Sequence, residues 1–449
     1  MYRLMPFAAA AVLGACAVGP DYIKPEGAGG AAVAPSFANV AEPGFASGDI
    51  ELHFWERFND PMLNQLVAAA LSNNNDLRIA VANLNAARAA YRLSTYDLAP
   101  TVTADADYQR ALESRNQLPG ATHDQRSITN VDAGFDAFWE LDFFGRVRRE
   151  VEEARAGEQS AEASLRDAQV SVTAEVARDY FGLRGLQDQL AVAIRNADNQ
   201  EKSLQLTQVR LEAGRGNELD TSRAEAQLRT TQARIPPLEA GVANMIYALS
   251  VLIGRQPDAL TAQLAPVQAL PELPALSNIG TPETLLRRRP DVQVAERNLA
   301  AATAGIGVAV GDLFPKVTVA GAIGYNAGSF GGVGNTGSGT YAYGPSISWA
   351  AFDLGRVQAR IRAARANADA QMAAYQKSVL LALQETEGAL ITYSRSAARM
   401  HTLEQATLAS DKAAHLARQR FEAGLTDFLN VLDAEREALD AETSLAQSR

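Results

Sequence analysis

The sequence predicts a mainly α-helical chain with a transmembrane β part, built from two internal repeats, with four β-strands and very long helices per chain. Three observations predict it. A set of motifs recurs at an offset of 210 to 215 residues, two Pro-free stretches of 68 residues carry heptad patterns, and four short segments alternate apolar with polar side chains.

The repeat organises the rest. Trp139…Gly145-Arg146-Val147 recurs as Trp349…Gly355-Arg356-Val357, an offset of 210 residues. Arg210-Leu211-Glu212-Ala213-Gly214 recurs as Arg420-Phe421-Glu422-Ala423-Gly424 at the same offset, whereas Asp97-Leu98-x-Pro100 meets Asp312-Leu313-x-Pro315 at 215. The five-residue change falls between residues 100 and 139, where a loop differs in length. A fixed offset of this kind marks two copies of one structural unit. Each copy reads as a helix (76–97, 291–312), two strands, a very long helix and a return helix.

The long helices are expected over 146–213 and 356–423. At 1.5 Å per residue each is about 100 Å long. Val172, Val176, Leu183, Leu190, Ala193 and Ala197 recur at heptad spacing, as do Tyr375, Val379, Ala382, Ala389, Tyr393 and Met400. A sustained 3.5-residue repeat implies left-handed coiling against partner helices. Gly214 and Gly424 stand where a helix-ending glycine belongs. The chain then reverses into return helices over 217–253 and 425–449, the first kinked or broken by Pro236-Pro237.

Strands are expected at about 100–110, 128–143, 315–326 and 341–352. Val102, Ala104, Ala106 and Tyr108 oppose Thr101, Thr103, Asp105 and Asp107. Val131, Ala133, Phe135, Ala137 and Trp139 oppose Asn130, Asp132, Asp136 and Glu140. The second copy repeats the pattern with Val317, Val319, Ile323 and Tyr325, then Tyr341, Tyr343, Ile347 and Trp349. Segments of about 10 residues with this alternation and aromatic ends fit a transmembrane barrel, or the antiparallel sheet of a soluble domain. The Gly-rich connection 326–340 has neither a Gly-Lys-Ser/Thr nor a helix-opening Gly-x-Gly-x-x-Gly and reads as a surface loop.

The N-terminus favours the barrel. Arg3, the apolar run from Leu4 to Ala15 and the small residues before Cys16 make a signal peptide over 1–15, too short to span a bilayer. Leu13-Gly14-Ala15-Cys16 resembles the bacterial lipobox, which implies a covalent lipid on Cys16; Ala17 in place of Asp implies sorting to the outer membrane. No later stretch reaches 18 apolar residues, so a membrane-embedded part must be a closed barrel. Four strands cannot close one, since single-chain barrels start at about eight. The barrel must be shared between chains, and small polar inward residues suit a wide lumen and hence a homotrimer.

Composition excludes other classes. With 41 basic against 52 acidic residues, the net charge is −11 and nucleic acid is not an expected partner. One Cys and four His exclude a disulfide scaffold and a Cys-rich metal site, and His401 and His415 lie four helical turns apart. Glu152-Glu153 reads as solvated charge. No Gly-x-Ser-x-Gly element is present, so neither enzyme nor cofactor is expected beyond the lipid.

Further motifs carry a family resemblance over essentially the whole chain. They are Cys16-Ala-Val-Gly-Pro20-Asp21-Tyr22, Trp55…Phe58-x-Asp60-Pro61-x-Leu63, Arg287-Arg288-Arg289-Pro290-Asp291-Val292, Phe352-Asp353-Leu354-Gly355-Arg356, and Gly424-x-x-x-Phe428-Leu429-x-Val431-Leu432-Asp433-Ala434-Glu435-Arg436. The chain resembles the TolC-like outer membrane factors, specifically the NodT/OprM-type efflux lipoproteins. That resemblance implies a homotrimer with a 12-stranded barrel and a helical barrel reaching through the periplasm. It implies docking to a periplasmic adaptor and an inner-membrane pump of the resistance-nodulation-division type, with passive release of drugs or other solutes. The adaptor-docking tips would be Arg210, Gly214 and Asn217 in one copy, and Arg420, Gly424 and Thr426 in the other. The periplasmic aperture would be lined by Leu429 and Asp433, with Arg436 pairing Asp433 of its own or a neighbouring chain. Competing readings are a duct for type I protein secretion and a coiled-coil envelope scaffold without a pore.

The implied organisation is a signal peptide (1–15), a lipidated extended segment (16–60), a first repeat (61–254), an equatorial linker (255–281) and a second repeat (282–449). One departure stands out. Gly254 plus the 210 offset gives position 464, whereas the sequence stops at Arg449, so the last return helix is about 15 residues short: a fragment, or a reduced equatorial region.

Overall fold

The computed structural model describes residues 17–25, 34–38, 53–274 and 279–449. The leader and Cys16 lie outside the described residues. The chain divides into two compact units. Of the described residues, the sheet unit takes 17–25, Ala82–Ser164 and Pro290–Val379; the tip unit takes 34–38, 53–81, 165–274, 279–289 and Leu380–Arg449.

The helices of the first copy are α1 (Pro61–Asn73), α2 (Asn75–Tyr96), α3 (Arg146–Glu212), α4 (Glu218–Gln232) and α5 (Ile235–Leu252). Those of the second are α6 (Pro282–Arg288), α7 (Pro290–Gly311), α8 (Leu354–Glu422) and α9 (Phe428–Ser448). The strands are β1 (Thr101–Leu112), β2 (Ser127–Leu141), β3 (Lys316–Ala327) and β4 (Gly339–Ser348).

In the sheet unit the strands form one antiparallel meander in the order β1-β2-β3-β4, so the two copies join where β2 pairs with β3. Phe135 faces Ile323 across that seam, and Ile323 faces Tyr341 across the next. These side chains share one face and are exposed, Tyr343 at 83% and Tyr341 at 77%. The opposite face carries Asp105, Asp107, Asp132 and Asp136, with Asn326 donating to Asn130 at 2.9 Å. Phe138 departs from the pattern. It falls between Asp136 and Glu140 on the polar face, 54% exposed, because the strand keeps its period while the residue type does not.

The repeat is visible as geometry. Trp139 Nε1 donates to Leu98 O at 3.1 Å, and Trp349 Nε1 donates to Leu313 O at 3.0 Å. The starts of the long helices are fastened differently. Arg146 forks onto Glu140 (2.9 and 2.8 Å), while Asp312 takes both Lys316 (3.0 Å) and Arg360 (2.9 Å). Burial tends to raise the Asp312 pKa, but those two cations outweigh it and hold the carboxyl below its usual range.

The tip unit has an apolar core of Leu63, Val67, Val176, Tyr180, Leu183 and Leu249. Asp60 caps α1 by accepting from Met62 N (2.8 Å) and Leu63 N (3.1 Å), and it also takes Tyr180 OH at 2.6 Å. Burial, then the Asp60 bond, push the Tyr180 hydroxyl up to about 12. Arg184 is fully buried and donates to Gln187 (2.8 Å), Pro266 O (3.2 Å) and Gln268 (2.9 Å). A buried guanidinium fed by backbone and amide oxygens pins the 264–268 stretch against α3.

Several expected boundaries are corrected. The segment 16–60 is not extended throughout, because Phe54–Phe58 forms a 3-10 turn. The 255–281 linker contains a helical turn, Thr261–Leu264, with Leu260 and Leu264 buried. The connection 109–129 shrinks: β1 runs to Leu112, His123–Arg126 is a capped turn and β2 starts at Ser127. β4 stops at Ser348 rather than 352, and the second long helix starts at Leu354. The return segment 217–253 is two helices, since Pro236-Pro237 cannot continue a helix and instead opens α5. The last helix starts at Phe428 rather than 425, because the turn after Gly424 occupies those residues. Glu152 is not merely solvated; it accepts from Arg149 at 2.7 Å.

Candidate functional site: the helical tips and the aperture helix

Both long helices end in the same turn. Gly214 (φ +70°) donates to Leu211 O at 2.9 Å and Arg215 N to Arg210 O at 2.8 Å. Gly424 (φ +74°) donates to Phe421 O at 2.9 Å and Leu425 N to Arg420 O at 2.8 Å. This paired bonding satisfies the last helical carbonyls and requires a left-handed residue, which glycine supplies without a Cβ clash. Asn217 then caps α4, accepting from Asp220 N at 2.8 Å, while Thr426 Oγ1 accepts from Asn430 at 2.8 Å.

The two tips touch each other. Arg210 donates to Phe421 O at 2.6 Å, and its guanidinium lies 4.3 Å from the centre of the Phe421 ring. Phe421 packs on Phe428 at 5.4 Å, within a cluster completed by Ala224, Val431 and Leu432. Arg210 therefore joins the tips, while Arg420 and Gly424 are exposed. Between the tips lies a groove of about 330 Å³ whose polar lining includes Thr207, Arg215, Asn217, Asp220, Thr426 and Asp427.

Leu429 and Asp433 stand one turn apart on α9, both exposed. Within the chain Arg436 does not pair with Asp433; it donates to Gln227 of α4 at 2.7 Å. The residue sequence reading missed is Glu435. It is 7% exposed and accepts from Arg418 at 2.5 Å and Ser203 at 2.8 Å, tying α9 to both long helices. The signal was present: Glu435 lies on the apolar stripe of Val431, Leu432, Ala438 and Leu439, where a carboxylate requires partners. Among the described residues no group of three His, Cys, Asp or Glu side chains could hold a metal.

A sequence profile described as "Outer membrane efflux protein" matches residues 66–255 and 281–449, one match over each copy. The chain belongs to the outer membrane efflux protein family. Nodulation protein T of Rhizobium leguminosarum bv. viciae is 29% identical over 451 residues, covering 99% of this chain and 89% of that protein. The probable efflux pump outer membrane protein TtgC of Pseudomonas putida is 30% identical over 443 residues, covering 98% and 90%. The solved structure of the outer-membrane channel OprN superposes with a TM-score of 0.89 at 43% identity, covering 96% of this chain and 95% of that one. The fold is TolC-like, the location is the outer membrane, and the family is one of channels rather than enzymes.

Proposed function

We propose that this chain is the outer-membrane exit duct of a tripartite efflux system. Three copies close one 12-stranded barrel, and drugs or other small solutes pass through it without a selective pocket. The observation that carries this is the sheet itself. Among the described residues β1 and β4 each pair on one side, and the apolar face is bare. A lipid-exposed edge is untenable, so the edges must meet those of other copies.

The remaining assignments extend this reading. A lipid on Cys16 anchors the mature N-terminus. Gly214, Asn217, Arg420, Gly424 and Thr426, in a frame held by Arg210, receive the hairpins of a periplasmic adaptor. The adaptor connects the duct to an inner-membrane pump of the resistance-nodulation-division type. Leu429 and Asp433 of three copies line the aperture, where a ring of carboxylates favours cations. The efflux-pump name of the TtgC relative favours solute efflux over protein secretion.

The test is the mass of the purified protein in detergent, by light scattering with the detergent subtracted. About three times the 47.8 kDa chain mass is expected. A monodisperse monomer would refute the shared barrel.

A further inference from the structure

A second built surface lies in the sheet unit and is not accounted for by the duct. There the segment 17–22 lies against α3 and α7. Val18 N donates to Phe144 O at 3.0 Å, in the turn between β2 and α3. Arg149 of α3 donates through Nε to Val18 O (3.1 Å) and through Nη2 to Asp21 (2.6 Å), while its Nη1 goes to Glu152 (2.7 Å). The Arg149 side chain is only 4% exposed, and the segment supplies two of those three bonds.

The α7 side is equally specific. Tyr22 OH donates to Glu296, a residue only 5% exposed, and the Arg297 guanidinium lies 5.4 Å from the centre of the Tyr22 ring. Burial tends to raise the Glu296 pKa, but the Arg297 and Tyr22 hydrogen bonds outweigh it and hold the carboxyl below its usual range. Gly19 has φ +94°, and a Cβ there would stand 2.5 Å from Gly307 Cα. A Cβ on Gly307 would in turn stand 2.7 Å from Arg149 Cγ. Segment, helix and guanidinium thus meet where side chains at either glycine would collide.

α3 belongs to the first copy and α7 to the second. We propose that α3 and α7 form a peptide groove for the chain's own residues 17–22, and that filling it locks the two copies together beside β2 and is required for barrel assembly. An empty groove would leave Arg149 short of two partners and Glu296 of one, a costly state for charged groups packed under the segment. The groove is independent of the lipid-anchor reading.

The test uses the full chain in the outer membrane, with two readouts. One is the fraction recovered as oligomer, by light scattering after detergent extraction; the other is the mass of the mature N-terminus. Gly19→Val and the double variant Asp21→Ala/Tyr22→Ala should each lower the oligomer fraction at least tenfold. Ile23→Ala, at a side chain 82% exposed, should change nothing. In the groove variants, amides of the first turns of α3 should exchange faster while those of α9 keep their protection. Oligomer at the wild-type level in the groove variants overturns the proposal, and so does equal loss of protection in α9, which would mean general misfolding. An unmodified N-terminus in the wild-type chain would remove the lipid anchor and leave the groove standing. An acylated N-terminus with normal assembly of the groove variants would do the reverse.

Discussion

The two hairpin tips begin from nearly the same sequence and finish in different environments. Arg-Leu-Glu-Ala-Gly and Arg-Phe-Glu-Ala-Gly give the same glycine turn with the same two backbone bonds. Beyond the turn they diverge. Leu211 is 37% exposed, while its counterpart Phe421 is 7% exposed, held between Arg210 and Phe428. Glu225 is exposed and faces Arg229 at 3.7 Å, while its counterpart Glu435 is buried against Arg418 and Ser203. Local sequence sets the turn. What packs against it decides which copy carries an apolar and ionic core, and here that is the second.

The largest way to break the comparison is Phe421→Ala. It empties a buried aromatic site and should lower the opening free energy of α9 amides, read by hydrogen exchange, by about 4 kcal/mol. Leu211→Ala should cost under about 1 kcal/mol by the same measurement. Equal losses would dissolve the asymmetry.

Next in size is Glu435→Ala, expected to cost about 2 kcal/mol because it strips a charged hydrogen bond from Arg418 and a second bond from Ser203. Glu225→Ala removes an exposed helical pair and should cost about 0.3 kcal/mol. Exchange of α9 against α4 amides separates the two.

The glycines sharpen the comparison by erasing it. Gly214→Ala and Gly424→Ala should each cost about 1 kcal/mol, since both occupy left-handed backbone with open space around them. Gly424→Arg adds bulk at the groove mouth at a similar folding cost. It should keep protein level and membrane insertion while abolishing drug resistance in an efflux-dependent strain; unchanged susceptibility would argue against docking at this tip.

Much of this was legible in the sequence because it rests on periodicity. The alternation of Val131, Ala133 and Phe135 located β2, and the 68-residue Pro-free runs located the long helices within two residues. Val176, Leu183 and Val379 lie in the core where the heptads placed them. α1 went unread, although Asp60-Pro61 is a cap followed by a first-turn proline. What periodicity could not show is tertiary pairing of polar groups. Arg184, Arg149 and Glu296 are ordinary helical charges in one dimension, and their long-range partners lie 82 and 84 residues away for Arg184, 128 or more along the segment for Arg149, and 274 for the Tyr22 bond to Glu296. Of the site residues, Gly214 and Gly424 were legible because left-handed backbone favours one residue type. Arg210 was legible as a tip residue, not as the link between the tips.

The central claim is a conducting duct, and single-channel recording in planar bilayers tests it most directly. Purified protein should give discrete, cation-selective conductance steps, and Asp433→Ala should raise the conductance and weaken the selectivity. Reconstituted protein of verified insertion that yields no steps would contradict the account.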